Sequence, residues 1–402
     1  MKKITALLLA LCLAVSMFGC GGNEDTEPTT TPTTTTPTTN FKSYTVSDDV
    51  AAASRLNVVA TVGSRELTVG ELNVCFWMGV YSFLNTYGSY ASLYGLDYTK
   101  PLDQQGPTGE TKSWQEFFIE DTLSAWHVYA AMALKAEQMG IEMPEDLQTD
   151  LDGLRDVMKD SANKNKFESV DAMIQAEAGA ATTGDDYYNY TLHYYEYLAL
   201  IRHLEQNTVI TQDDIDAYFT KNETTLAQSK ITKDSGNVFG VRHILITPEG
   251  GTTNTSGVTT YSDAEWEACR QKAEKLMNEW LAGDATDETF ASYAKEHSTD
   301  PGSASNGGLY EGLNKDTSFV EPFKNWYLEE GRQVGDYGLV KTDYGYHIMY
   351  LSSIEAQWIN HCRGAILDET INTFVEDAQK EFPMESDNSK IVIGYVNLGS
   401  SS

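Results

Sequence analysis

Two histidines stand in stretches that read as buried strands: "VRHILI" at 241–246 and "YGYHIMYL" at 344–351. Each stretch is apolar on both faces, so His243 and His347 are predicted to lie inside one sheet. Between them, "TDPGSASNGGLYEGL" is a loop with one Pro, four Gly and a single Asp, Asp300. It is followed by "SFVEPFKNWYL", read as a short helix carrying exposed-looking Phe319 and Phe323. Two imidazoles within one sheet have two readings. They form a satisfied polar network that fixes the shape of a pocket, or they act directly in catalysis. A zinc site built from His243, His347 and Asp300 lacks the usual ligand spacing, so no metal is expected.

These residues need elements to position them. Ser262 and Glu265 form a capping box for a helix whose Trp266, Ala273, Leu276, Met277, Trp280 and Leu281 share one stripe, and "DETFASYAKEHS" is a second helix. "GLVKTDYGYHIMYL" reads as two strands joined by Asp343-Tyr344-Gly345, with Gly345 as the left-handed residue of a three-residue hairpin. Upstream the chain is mostly helical. "VVATVGSRELTVGEL" gives a short strand, a turn at Gly63 and a capping box at Thr68 and Glu71. Ser113 and Glu116 open a long amphipathic helix that ends at Gly140, and Thr211 and Asp214 cap a shorter one. "DDYYNYTLHYYEYLALIRHL" carries an aromatic stripe that suits a core or, less readily, a groove for extended peptides. After residue 352 the chain returns to helix, stops at Pro383, and ends in "KIVIGYVNL", which alternates like a strand.

Composition narrows the function. At 402 residues the chain is too long for one ordinary core. A formal charge of −31 lacks the clustered Lys and Arg that grip phosphate backbones, which excludes nucleic-acid binding. Lys2 and Lys3, the apolar run "ITALLLALCLAV" and "SMFGC" make residues 1–19 a signal segment. The Gly-Cys pair resembles the lipobox of bacterial lipoproteins, with Cys20 as the lipidated residue. The processed chain would lose Lys2 and Lys3 and be two charges more acidic. Residues 26–39 contain ten Thr and three Pro, so 20–45 reads as a tether. Beyond Cys12 and Cys20 only Cys75, Cys269 and Cys362 remain, too few and too scattered for a disulfide framework.

The motifs at 241–352, in this order, are similar to those of parvulins, small peptidyl-prolyl cis/trans isomerases: V-x-H-I-L-I, S-T-D-P-G-S before Gly307-Gly308, F-V-x-P-F, and T-D-Y-G-Y-H-I-M. Signal, tether, helical segment at 46–240, parvulin insert and returning tail at 353–402 together resemble the PrsA-type extracytoplasmic foldases, relatives of SurA-type chaperones. The resemblance implies an α+β fold, a mostly helical chaperone domain interrupted by a small antiparallel sheet flanked by helices. It implies that Phe319 and Phe323 cup a proline ring, with Leu309 and Tyr344 also in substrate binding. Asp300 lies near the substrate amide, and His243, His347 and Thr342 form one network beside it. It implies no cofactor. Partners are unfolded or newly secreted polypeptides and, through the lipid anchor, a membrane; the oligomeric state, a homodimer included, is open.

An X-Pro amide rotates over a barrier of roughly 18–20 kcal/mol because resonance stiffens its C–N bond. A catalyst needs no nucleophile, only a desolvated hollow that binds the twisted amide better than the planar one. Two departures from the family pattern bear on this. Gly307-Gly308-Leu309-Tyr310-Glu311 stands where the family usually writes G-G-D-L-G, which points to a rebuilt loop and reduced activity. The segment from Thr247 to Cys269 contains no Lys or Arg, so phosphate-specific recognition is predicted to be absent. The competing reading is a holdase whose parvulin only binds peptide. A surface adhesion or scaffold protein is a third, carried by the Thr/Pro tether alone.

Overall fold

A computed structural model describes residues 41–253 and 259–397, and the signal segment, Cys20 and most of the tether lie outside these. The described chain divides into two units: residues up to Thr208 together with those from Thr370 onward, and Val209–Glu369. The second unit is longer at both ends than 241–352. Helix Gln212–Gln228 and the first turns of helix Gln357–Glu381 build a small core of their own within it, from Ile215, Phe219, Leu226, Trp358 and Cys362.

In the first unit, strands Val58–Val62 and Arg65–Thr68 pair antiparallel, and strand Met384–Ser386 adds to the free edge of the former. Both oxygens of the expected capping boxes are engaged. Thr68 and Glu71 start helix Val69–Tyr87, and Ser113 and Glu116 start helix Trp114–Met139, which ends at Gly140. Helices Asp48–Ser54, Glu145–Lys164, Val170–Ala178 and Gly184–Asn207 also belong to the unit. The aromatic stripe is core: Tyr187, Tyr190, Tyr194 and Tyr197 recur at helical spacing and are all buried, with Tyr129 against the last two.

The tail at 391–397 is not the expected strand. Ile391 and Ile393 are buried, and the backbone makes a single parallel bridge, Ile393 with Thr45, its N–H donating to the Tyr44 carbonyl at 2.8 Å, while side chains take the groups beside it. Asn73 Nδ2 donates to the Val392 carbonyl at 2.8 Å, Gly394 N donates to Asn73 Oδ1 at 2.7 Å, and Trp77 Nε1 donates to the Gly394 carbonyl. Alternation in sequence reports burial; ladder formation also needs a partner edge.

The second unit is organised by a four-stranded antiparallel sheet in the order Leu309–Leu313, Asn237–Ile246, Gly345–Ala356, Tyr337–Thr342. Side chains alternate across it. Ile244, Ile246, Ile348 and Tyr350 face helices Asp263–Leu281 and Asp287–His297, meeting Cys269, Ala273, Trp280 and Phe290. Val241, Val340, Met349 and Leu351 face helix Glu321–Leu328 through Phe323 and Tyr327. The central strands are therefore covered on both sides, which is why their sequences lack a polar face. Leu309–Leu313, read in the sequence as loop, is one of the two edge strands.

Candidate active site

His243 and His347 occupy the same face of neighbouring strands. With the side-chain period of two, both point with Val241 and Met349 toward helix Glu321–Leu328, away from the two longer helices. Their Nδ1 atoms are 2.9 Å apart. His243 Nε2 lies 3.1 Å from Asp300 Oδ2 and 3.0 Å from Ser303 Oγ. Thr342 Oγ1 is 2.8 Å from His347 Nε2 and itself accepts the Tyr344 N–H. Asp300 Oδ2 also accepts from Ser303 Oγ at 2.6 Å and from the Tyr310 hydroxyl at 3.0 Å.

One assignment of protons satisfies every link with both rings neutral. The Asp300 carboxylate only accepts, so His243 Nε2–H donates to it, leaving His243 Nδ1 as acceptor. His347 Nδ1–H donates into that lone pair, and the Thr342 hydroxyl donates to His347 Nε2. The chain runs one way, from Thr342 to Asp300. Burial holds the His347 imidazole down at about 4, against an ordinary 6.5, with His243 adding to the depression. Asp300 is held well below the usual carboxylate range, first by its hydrogen bond with His243 and then by Ser303, against the opposing effect of burial.

Two glycines let the backbone approach these rings. Gly308 has φ +74, its carbonyl accepts the His243 N–H at 2.8 Å, and a Cβ there would sit 2.2 Å from the His243 carbonyl oxygen. Gly345 has φ +151, and a Cβ would sit 2.1 Å from the Ile246 carbonyl oxygen. The residue is thus required by close approach to a neighbouring strand and by a positive φ outside the left-handed helical geometry read from the sequence.

Beside the network lies an aromatic layer. Phe319 stacks on Phe323 with centroids 4.9 Å apart and planes 18° apart; Phe323 stands edge-on to His243 and His347 at 5.2 and 5.5 Å. Phe319 precedes the helix rather than belonging to it. Phe323 is 1% exposed, so the exposed-looking residue of the sequence is covered, with Phe319 as its lid.

The structure brings His243, His347, Thr342, Asp300, Phe319 and Phe323 together, and treats Leu309 and Tyr344 differently. Leu309 pairs with Arg242, and Arg242 reaches toward Asp287 and the Gly307 carbonyl, on the face opposite the aromatic layer. The neighbouring Tyr310 pairs with Val241 on the site face, and its ring meets Phe319 edge-on at 4.9 Å. Tyr344 is 63% exposed at the hairpin turn, and only its backbone N–H touches the network. Tyr310 and Ser303 were missed. Reading 309–313 as a strand registered on Val241 would have found the first. The Asp-Pro-Gly-Ser turn, with Ser303 three residues after Asp300, carried the second.

Known proteins match parts of this chain. Residues 224–353 fit the model of the PPIC-type PPIASE domain. The Foldase protein PrsA of Geobacillus kaustophilus is 40% identical over 84 residues, which is 21% of this chain and 29% of that protein, so the match spans under a third of that relative. Among solved structures, PrsA from Bacillus subtilis is 18% identical and covers 67% of this chain and 87% of its own, with a TM-score of 0.34. A SurA-like chaperone structure from Campylobacter jejuni is 17% identical, covering 82% and 100%, with a TM-score of 0.23. At such TM-scores the likeness carries no argument. Residues 224–353 thus match the PPIC-type PPIase domain, and over 84 residues the chain is a homologue of the foldase PrsA.

Proposed function

We propose that the chain is a membrane-anchored extracytoplasmic foldase that isomerises X-Pro bonds in secreted polypeptides and shields them from aggregation. The observation that supports this most is the continuous chain from Thr342 through His347 and His243 to Asp300, laid against the Phe319 and Phe323 rings on one sheet face. The prolyl ring takes the place of Phe319 against Phe323, and Phe319 swings aside on the segment before its helix to admit it. Asp300 then faces the amide. Its charge disfavours negative charge on the carbonyl oxygen, opposing the resonance that keeps the bond planar, and the apolar surround keeps that effect from being screened. The histidines hold Asp300 ionised and in place.

A second reading is favoured by one observation. Phe323 is covered and the Tyr310 hydroxyl is already bonded to Asp300, so the resting site is closed by its own side chains. A domain that stays closed binds peptide elsewhere and serves only as a holdase. Isomerisation of an X-Pro peptide, measured beside suppression of aggregation in a refolding client, separates the two. The foldase reading expects activity that falls by roughly 10²-fold in Asp300→Ala, in the range for losing one preorganised electrostatic group. It also expects activity to fall in Phe323→Ala. No isomerase activity in the unmodified chain sinks it in favour of the holdase. Failure to protect the client as well sinks both and leaves the adhesion or scaffold reading.

A further inference from the structure

Residues 72–96 contain no charged side chain, in a chain of which 22% is charged. The second half of this stretch surfaces as an aromatic patch in the first unit. After helix Val69–Tyr87 the chain enters a 3-10 segment, Gly88–Tyr94, where residues three apart eclipse. Tyr90 and Leu93 therefore line up, 61% and 72% exposed, and Tyr87, just before the segment, is 43% exposed. Tyr94 joins them, its ring 5.5 Å from Tyr87, and both rest on Phe83. Isolated exposed apolar residues need no explanation, but a contiguous uncharged group of this size on an anionic protein does.

Its position says what covers it. The first described residue, Phe41, lies where a Cβ on Gly106 would come within 3.3 Å of its ring. Two residues on, Thr108 N donates to the Tyr94 carbonyl at 3.0 Å and Thr108 Oγ1 to the Leu93 carbonyl. Only residues 21–40 separate Cys20 from Phe41, and a chain spans at most roughly 3.3–3.6 Å per residue, so an anchored Cys20 bounds how far this loop and the patch beside it can stand from a lipid surface. We propose that Tyr87, Tyr90, Leu93 and Tyr94 form a docking face for the lipid surface in which the chain is anchored, seating the first unit on the bilayer interface. This rests on the anchored reading above. Tyrosines suit that boundary because the ring enters the acyl margin while the hydroxyl stays with the headgroups. The absence of charge from the patch matters equally: elsewhere the acidic surface is repelled by anionic lipid, and here it is not.

The test uses the full acylated chain on phosphatidylcholine vesicles, with a polarity-sensitive nitrobenzoxadiazole label on Leu93→Cys or, as control, on Val157→Cys, an exposed position on helix Glu145–Lys164. The three cysteines of the folded units are buried, so labelling is selective. Co-flotation with vesicles, lost in Cys20→Ser, reports on the anchor separately. The expected result is flotation with a blue shift at position 93, quenched by nitroxide-bearing acyl chains, no change at 157, and loss of the response when Tyr90→Asp is added. Flotation without a response at 93, or equal responses at 93 and 157, overturns the docking face. A label that responds to an unfolded polypeptide but not to vesicles makes the patch a peptide site and overturns it too. A chain that does not float removes the anchor, and the docking face with it.

Discussion

The one-way proton arrangement of Thr342, His347, His243 and Asp300 requires His347 to stay neutral well into acid, and this has a measurable consequence. In the unfolded chain its imidazole takes up a proton near 6.5; in the fold burial delays this to about 4. Between those values unfolding takes up a proton, so acid favours the unfolded state. The fold carries no penalty from this group above pH 6.5 and loses stability as pH falls toward 4. Two and a half pH units correspond to about 3 kcal/mol, an upper figure for a group this buried. Asp300 is depressed from 3.8, so its own contribution is present above that value and is lost only in stronger acid, outside this window. Two measurements bear on it. Histidine C–H shifts followed by NMR from about pH 8 down to about pH 3 assign the titration directly, and urea unfolding of wild type and His347→Gln between about pH 4 and 8 gives the difference in stability. The expected result is a His347 midpoint near 4 and a wild-type advantage that shrinks with acid by up to about 3 kcal/mol. A midpoint at or above 6.5, or a difference independent of pH, refutes the neutral chain of hydrogen bonds and with it the account of how Asp300 is held.

Tyr310→Phe keeps the ring on Phe319 and removes the hydroxyl that closes onto Asp300. If opening the site costs about 1 kcal/mol for that bond, after allowance for the partly exposed carboxylate, kcat/KM should rise about fivefold. A fall would make Tyr310 part of the chemistry instead. A phosphoSer-Pro peptide should be turned over no faster than its unphosphorylated twin, because Glu249 and Glu265 border the Gly/Thr loop at 249–262 and Glu249 already holds Lys272 in an ion pair. A faster phosphopeptide in a direct competition assay would contradict this.

Local rules written in the chain were obeyed where a few neighbouring residues decide the outcome. The capping boxes at Thr68, Ser113, Thr211 and Ser262 each need only a hydroxyl and a carboxylate three residues apart, and all four begin helices. The two-sided apolar strands around His243 and His347 likewise announce a sheet covered on both faces. The α+β character and the isomerase activity were implied instead by the family resemblance that the motifs at 241–352 carry. What lay beyond them depended on registry between distant segments. That Tyr310 rather than Leu309 reaches the site is set by the pairing of Val241 with Tyr310, and a one-residue shift would exchange them. That Phe323 is covered is set by where the backbone before its helix drops Phe319. That residues 390–397 make only a one-residue bridge to Thr45 and no strand goes with Asn73 and Trp77, some 320 residues earlier, taking the hydrogen bonds of Val392 and Gly394. A sequence fixes which groups can bond; which of them meet is decided by packing across the chain, where each buried polar atom takes the partner the fold brings within reach.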